Sequence, residues 1–314
     1  MTISFLIEAN RIRELLIRDR TIGNFWNSPN PDSTFLFPLV LLGPFCLGFR
    51  FYSATTKSLQ DDATARQTGV RPPSRVLRIL APTTIFVLSL AVSVRTTMLL
   101  ATHERPSRTF RDETPVIHDE FSYLLQAKTF LSRRWFWESS PVARELFHQM
   151  HVLNDGKFAS RYLPGTGLWI APWLAMGHPR WGHWFAQGSV AVAAYLLSKR
   201  LTEMSRADGK RLPNGPGLAG IPTASWSGLI AGIVAGTLIA LSPGLALFSN
   251  LMLSHHPTLV GLSLFLWAFL HLMETSAMRW SLLSGAGLAF AMICRPLTAA
   301  AVGLPWGFWW LFQV

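Results

Sequence analysis

Long apolar runs alternate with polar, charged segments along this chain from about residue 79 to its end. A helix needs about 20 apolar residues to cross a bilayer. On this basis the runs predict membrane-spanning helices at residues 79–101, 181–197, 226–253, 258–273, 282–293 and 297–313. Ser242-Pro243-Gly244 predicts a kink within the third of them, because proline removes a backbone hydrogen bond.

The first 78 residues carry a different pattern. Residues 3–20 alternate isoleucine and leucine with arginine, which predicts a basic amphipathic helix lying on a membrane surface. Residues 35–51 are apolar but interrupted by proline and glycine, so this segment is either a first span or a re-entrant or interfacial segment. We therefore divide the chain into residues 1–78, which hold these two segments and a cytoplasmic linker, and a transmembrane domain at 79–314.

The distribution of basic residues predicts the topology. Positively charged short loops stay in the cytoplasm, so the arginine-rich linker before residue 79 and the loop 199–225 are predicted to be cytoplasmic. The long segment 102–165 then lies on the extracytoplasmic side and carries amphipathic helices beside the membrane. Residues 165–176 are apolar but too short to cross, which predicts a helix that enters the membrane and returns.

Composition supports a membrane protein. Half of the 314 residues are hydrophobic and only 14% are charged, whereas a soluble domain has about a quarter charged residues. We predict an all-α, polytopic, multi-pass protein of the cell or inner membrane. The net charge of +11 lies mainly between the spans, where it sets topology and contacts anionic lipid, so we expect a bilayer partner and no nucleic acid. Both cysteines lie in apolar runs and predict no disulfide.

The candidate chemistry begins with a helix predicted over residues 117–131. At 3.6 residues per turn, Asp119, Tyr123 and Gln126 fall on one face of this helix, and the apolar side chains fall on another. Asp119 and the adjacent Glu120 lie at its N-terminal end. A purely structural alternative is that Asp119 caps the helix while Glu120 interacts with its dipole.

Three outer turns place a basic or potentially basic residue shortly before a proline. They are Arg161-Tyr162-Leu163-Pro164, His255-His256-Pro257 and Arg295-Pro296. By the predicted topology all three lie on the same side as Asp119 and Glu120. Arginines and histidines that face a carboxylate suit a phosphate-bearing ligand, with the carboxylate left to handle a proton or a cation. The structural alternative is that Arg295 reaches to the membrane interface and the histidines are hydrogen-bonded there.

The order of these motifs resembles the GT-C class of integral-membrane glycosyltransferases, nearest to the protein mannosyltransferase and lipid A aminoarabinose transferase branch. The resemblance covers roughly residues 79–314. It rests on a span, an outer Asp-Glu-x-x-Tyr helix, a Tyr-x-Pro-Gly turn that opens a short apolar helix, a span ending in Lys-Arg, a Ser-Pro kink, and an Arg-Pro turn.

The resemblance implies a function and a set of site residues. It implies transfer of a hexose or pentose from a polyprenyl-phosphate-linked sugar to a hydroxyl of a glycan, lipid or protein on the extracytoplasmic face. The implied catalytic residues are Asp119, as base or cation ligand, and Glu120; a divalent cation stays open as a cofactor. The implied substrate-binding residues are Arg161, Tyr123, His255, His256 and Arg295. Members of this class have further spans and a C-terminal domain, so this chain is expected to be the N-terminal portion of such a protein.

Two departures from the class leave alternatives open. The His255-His256 turn stands where many members carry an acidic residue, and the sequence does not contain the further spans and C-terminal domain expected of the class. The alternatives from other classes are a transporter or lipid flippase and a non-catalytic membrane scaffold. A transporter would place its charged groups near mid-membrane in two related halves, whereas here they are predicted at one outer boundary.

Overall fold

The computed structural model describes residues 73–99, 101–102, 105–109, 115, 117–208 and 226–311. The amphipathic helix predicted at 3–20 and the candidate membrane segment at 35–51 lie outside the described residues. The described part is mostly helical. Its α-helices are α1 (Arg75–Leu99), α2 (His118–Leu131), α3 (Gly165–Ala175), α4 (Trp181–Asp208), α5 (Trp226–Ala240), α6 (Pro243–Phe248), α7 (His255–Thr275), α8 (Met278–Cys294) and α9 (Pro296–Leu311).

Short strands and one 3-10 helix accompany these helices, so the prediction of an all-α fold is too narrow. The strands are β1 (Ala101–Thr102), β2 (Arg105–Thr109), β3 (Trp137–Glu138), β4 (Val152–Asp155) and β5 (Lys157–Ser160), and the 3-10 helix is Arg144–Phe147. Strands β3, β5 and β4 form an antiparallel sheet in that order, with Val152 opposite Ser160. The β4–β5 hairpin turns at Gly156, whose φ of 71° suits glycine.

The helices follow the predicted spans with two differences. Helix α4 continues to Asp208, beyond the predicted end at residue 197, and its polar extension carries an ion pair between Arg200 and Glu274 of α7. The predicted kink in the third span is a complete break, because α5 ends at Ala240 and α6 begins at Pro243. Proline is favoured at the first position of a helix, where its missing N–H has no partner to lose.

Two helices of the described residues are long and apolar enough to cross a membrane, Arg75–Met98 and His255–Thr275. Trp226–Ala240 and Met278–Cys294 are shorter apolar helices. Helices α1, α4 and α5 pack around a core that contains Ile85, Tyr195 and Leu229.

A seam of buried polar side chains joins α1, α4 and the turn between α6 and α7. The Asn250 amide bonds the Ser93 carbonyl at 3.2 Å and accepts from the Trp184 indole at 2.9 Å. On α4, His183 lies 2.8 Å from the Leu253 carbonyl. Because polar groups buried among apolar helices are costly unless bonded, this polar seam fixes the turn at residues 249–254 against its neighbours.

Candidate functional site

The start of α2 is held by Glu120, not by Asp119. One Glu120 oxygen accepts from the Ile117 N–H at 3.3 Å, and the other accepts from the Met252 N–H at 2.8 Å. The side chain is almost fully buried, at 2% exposed. Glu120 therefore satisfies an orphan donor at the helix start and ties α2 to the turn at 249–254. The alternative in which Asp119 caps the helix does not hold.

Asp119 faces the open side of this helix and remains partly exposed. Its Oδ1 lies 3.3 Å from Nε2 of His151, and both side chains are 36% exposed. Tyr162 donates a hydrogen bond to the same carboxylate. Burial, together with this hydrogen bond and the negative charge of Asp119, raises the pKa of the Tyr162 hydroxyl. The Tyr162 hydroxyl therefore keeps its proton and remains a hydrogen-bond donor to Asp119.

Three rings form an aromatic stack (His151, Tyr162 and Tyr123) beside this carboxylate. The Tyr162 ring lies 4.6 Å from that of Tyr123 at an interplanar angle of 24°, and 5.4 Å from that of His151 at 25°. Tyr123 is buried and hydrogen-bonds Ser254, and burial raises the pKa of its hydroxyl. The stack runs from the hairpin, across α2, to the start of α7.

Gln126, on the same face of α2 as Tyr123, holds the next turn of the chain. Its side-chain N–H donates to the Tyr162 carbonyl at 2.9 Å, and its oxygen accepts from the Gly167 N–H at 3.1 Å. A Cβ on Gly167 would lie only 2.5 Å from that oxygen, so this close approach requires glycine. The sequence placed Gln126 on the same face of α2 as Tyr123. That Gln126 joins α2 to the start of α3 by hydrogen bonds is seen only in the folded structure.

Two predicted basic residues belong to the same cluster. Arg295 lies between α8 and α9, close enough to act electrostatically on both Tyr123 and His255. Asp119 acts on the same two residues with the opposite sign. Gly165, at the start of α3, packs against the backbone of Ile293, which brings that helix end close to the Arg295 turn. The structure thus brings Asp119, Tyr123, His255 and Arg295 together.

The other two predicted basic residues are placed differently. Arg161 follows β5, and its backbone N–H donates to the His151 carbonyl at 3.0 Å while its side chain is exposed. His256 is 1% exposed, and its Nε2 lies 3.0 Å from the Gln187 oxygen on α4. His256 is therefore part of the packing between α7 and α4, and only its neighbour His255 reaches the cluster.

The two adjacent carboxylates do not fit a shared cation site. Asp119 interacts with His151 and Tyr162, whereas both oxygens of Glu120 accept backbone N–H groups. Among the residues that the structure describes, no group of three or more His, Cys, Asp or Glu side chains is placed to hold a metal ion.

The sequence did not identify His151, Tyr162 or Ser254 as members of the site. Tyr162 was visible as part of the Arg161-Tyr162-Leu163-Pro164 motif, but its approach to Asp119 depends on the hairpin, which the sequence did not predict. No protein-family model, curated protein or solved structure matches the chain.

Proposed function

We propose that this chain is a polytopic membrane glycosyltransferase that uses a polyprenyl-phosphate-linked sugar. The observation that carries the proposal is the partly exposed Asp119 carboxylate, which lies 3.3 Å from His151 beside the stacked Tyr162 and Tyr123 rings, with Arg295 close enough to act electrostatically on the same Tyr123. A base for the acceptor hydroxyl and a cation for the departing phosphate are the two groups that such a transfer needs.

The outer surface of the helices supports several membrane spans. On α5, the side chains of Ile230, Val234 and Leu238 are 57%, 53% and 67% exposed and recur every four residues. An apolar stripe of this kind faces lipid at no cost, whereas in water it would favour aggregation. Similar exposed apolar side chains lie on α1 and α9, among them Ile79, Leu80, Leu304 and Phe308.

In the proposed reaction Asp119 is the general base. It takes the proton of the acceptor hydroxyl as that oxygen forms a bond to the anomeric carbon. The bond from the anomeric carbon to the phosphate oxygen breaks, and the phosphate leaves with the electron pair. The anomeric centre inverts. Negative charge grows on the phosphate in the transition state, where Arg295, with His255 beside it, stabilises it.

Arg161 is proposed to meet the donor phosphate from the other side. Its side chain is exposed at the end of β5, immediately before the Tyr162 ring. An exposed guanidinium on a fixed backbone suits capture of a phosphate, because it can form two parallel hydrogen bonds to the oxygens.

The test is sugar transfer by the purified chain in proteoliposomes. The donors are polyprenyl-phosphate-linked mannose and a polyprenyl-phosphate-linked pentose, and the readout is release of free polyprenyl phosphate. We expect release that depends on Asp119 and on Arg295. Movement of the intact donor between leaflets without release would instead identify a flippase, and binding with neither outcome would identify a scaffold.

A further inference from the structure

The backbone of His151 is held in place by its neighbours, although the connection that precedes it is exposed. Its backbone φ is 66°, in the left-handed region that few residues other than glycine adopt. Its carbonyl accepts from the Ser122 hydroxyl at 2.7 Å and from the Arg161 N–H at 3.0 Å. A strained backbone that its neighbours hold in place is common where a side chain must point in one direction.

The direction in which the imidazole points is toward the candidate base. Its Nε2 lies 3.3 Å from Oδ1 of Asp119, and its ring is parallel to that of Tyr162, which bonds the same carboxylate. The carboxylate is therefore bracketed by two ring donors that also stack on each other. Ser122, one turn of α2 after Asp119, fixes the histidine backbone, so α2 sets the positions of both partners.

We propose that His151 is a positioning residue for Asp119. The imidazole N–H holds Oδ1, and this fixes the carboxylate plane so that a lone pair of the carboxylate faces the acceptor hydroxyl. The proton removed from the acceptor resides on Asp119, and His151 keeps its own. This inference rests on the proposed function, and it assigns a role to a residue that has no place in the motif order from which that function was inferred.

The charged and titratable groups around His151 come from two directions. Asp119 faces it from α2, and Tyr162 faces it from the turn after β5. Arg161 adjoins it through the backbone, with its side chain exposed. Among these groups, Asp119 is the one within hydrogen-bond range of the imidazole. Removal of the ring should therefore change the position of the Asp119 carboxylate.

The experiment removes the ring and then returns it. In His151→Gly the left-handed backbone is unstrained, because glycine adopts it freely, and a space the size of an imidazole is left beside Asp119. We expect polyprenyl phosphate release to fall about 10- to 100-fold, since a misplaced catalytic group costs on the order of 100-fold. The change should be in kcat, with KM for the donor nearly unchanged. Added imidazole should restore much of the lost rate.

Two further variants serve as controls for His151→Gly. His148→Gly removes an exposed histidine from the same connection and should change neither kcat nor the response to imidazole. His151→Gln keeps an N–H donor of similar reach and should retain more activity than His151→Gly. Unchanged kcat in His151→Gly, or a loss that imidazole does not relieve in a folded protein, overturns the positioning role.

A second measurement separates this inference from the proposed function. In protein with ¹⁵N-labelled histidine, the ring-nitrogen signals of His151, identified through His151→Gln, should change in Asp119→Asn and stay unchanged in Glu138→Gln. If the unmodified protein transfers no sugar, the proposed function fails, and these signals still decide the contact. A His151 signal that is insensitive to Asp119→Asn overturns it.

Discussion

Asp119 is available for the proposed reaction because the adjacent Glu120 makes the structural hydrogen bonds at the start of α2. Glu120 accepts the Ile117 and Met252 N–H groups and is buried, whereas Asp119 is partly exposed beside His151. The sequence showed two adjacent carboxylates but could not divide these roles. The division depends on Met252, which lies far along the chain and reaches Glu120 only in the folded protein.

Asp119→Asn should therefore reduce turnover, whereas Glu120→Gln should reduce stability. We expect Asp119→Asn to keep donor affinity and stability near normal and to lose about 100- to 10,000-fold in turnover, the usual contribution of a general base. Glu120→Gln should lower stability by about 1–3 kcal/mol, because one of the two backbone donors then faces an amide N–H₂ in a buried place. Donor-release kinetics and thermal unfolding measure the two effects. Near-normal turnover in Asp119→Asn removes it as the base.

Arg295→Gln should weaken donor binding. Loss of a charge-assisted phosphate contact costs on the order of 2 kcal/mol, or about thirtyfold in affinity. Arg279→Gln is the matched control, because Arg279 lies at the other end of α8 and contacts the Trp280 ring. Equal donor affinity in Arg295→Gln and the control, measured by titration of the lipid donor into proteoliposomes, would return Arg295 to an interfacial role.

At the scale of elements, the helices were predictable and the hairpin was not. Among the residues that the structure describes, each apolar run from residue 79 onward contains a helix, because hydrophobic length and period are strong signals, and proline marked the break between α5 and α6. Strands of two to five residues carry too little alternation to stand out. Since His151 and Tyr162 are placed by the β4–β5 hairpin, the sequence pointed only to candidate residues on α2 and at the helix ends, and their roles stay predictions.

The junction of α2 and α3 gives an element-scale prediction. Gly167→Ala should displace the buried Gln126 side chain from its hydrogen bonds, at a cost of about 1–3 kcal/mol. Gln126→Ala should cost a similar amount, and the double variant should cost less than the two together, because both changes remove one interaction. Gly244→Ala is the control, since a Cβ there meets nothing within 4 Å. If thermal unfolding shows that the stability losses of the two single variants add up in the double variant, Gln126 and Gly167 do not share one interaction.

At the scale of the whole molecule, the predicted topology places the cluster on one side of a membrane. Single cysteines at Thr109 and at Asp208 should be labelled from opposite sides by a reagent that cannot cross the bilayer, with Cys46 and Cys294 replaced by alanine. Thr109 belongs to β2, in the segment predicted to be extracytoplasmic, and Asp208 ends the polar extension of α4, which is predicted to be cytoplasmic. Labelling of both from the same side would contradict this topology and the shared placement of Asp119 and Arg295 that depends on it.

The site draws its parts from segments that are far apart in the chain, and this has a consequence during synthesis. Asp119 and its hydrogen-bond partners His151 and Tyr162 leave the ribosome early, and Arg295 follows much later. At about 5–20 residues per second, the interval between Tyr162, the last residue of the stack, and Arg295 is roughly 7 to 27 seconds. During that interval the nascent protein has the carboxylate and all three rings of the aromatic stack but not yet the Arg295 guanidinium. The charge balance around Tyr123 is thus set only after α8 has been made and has packed against the start of α3.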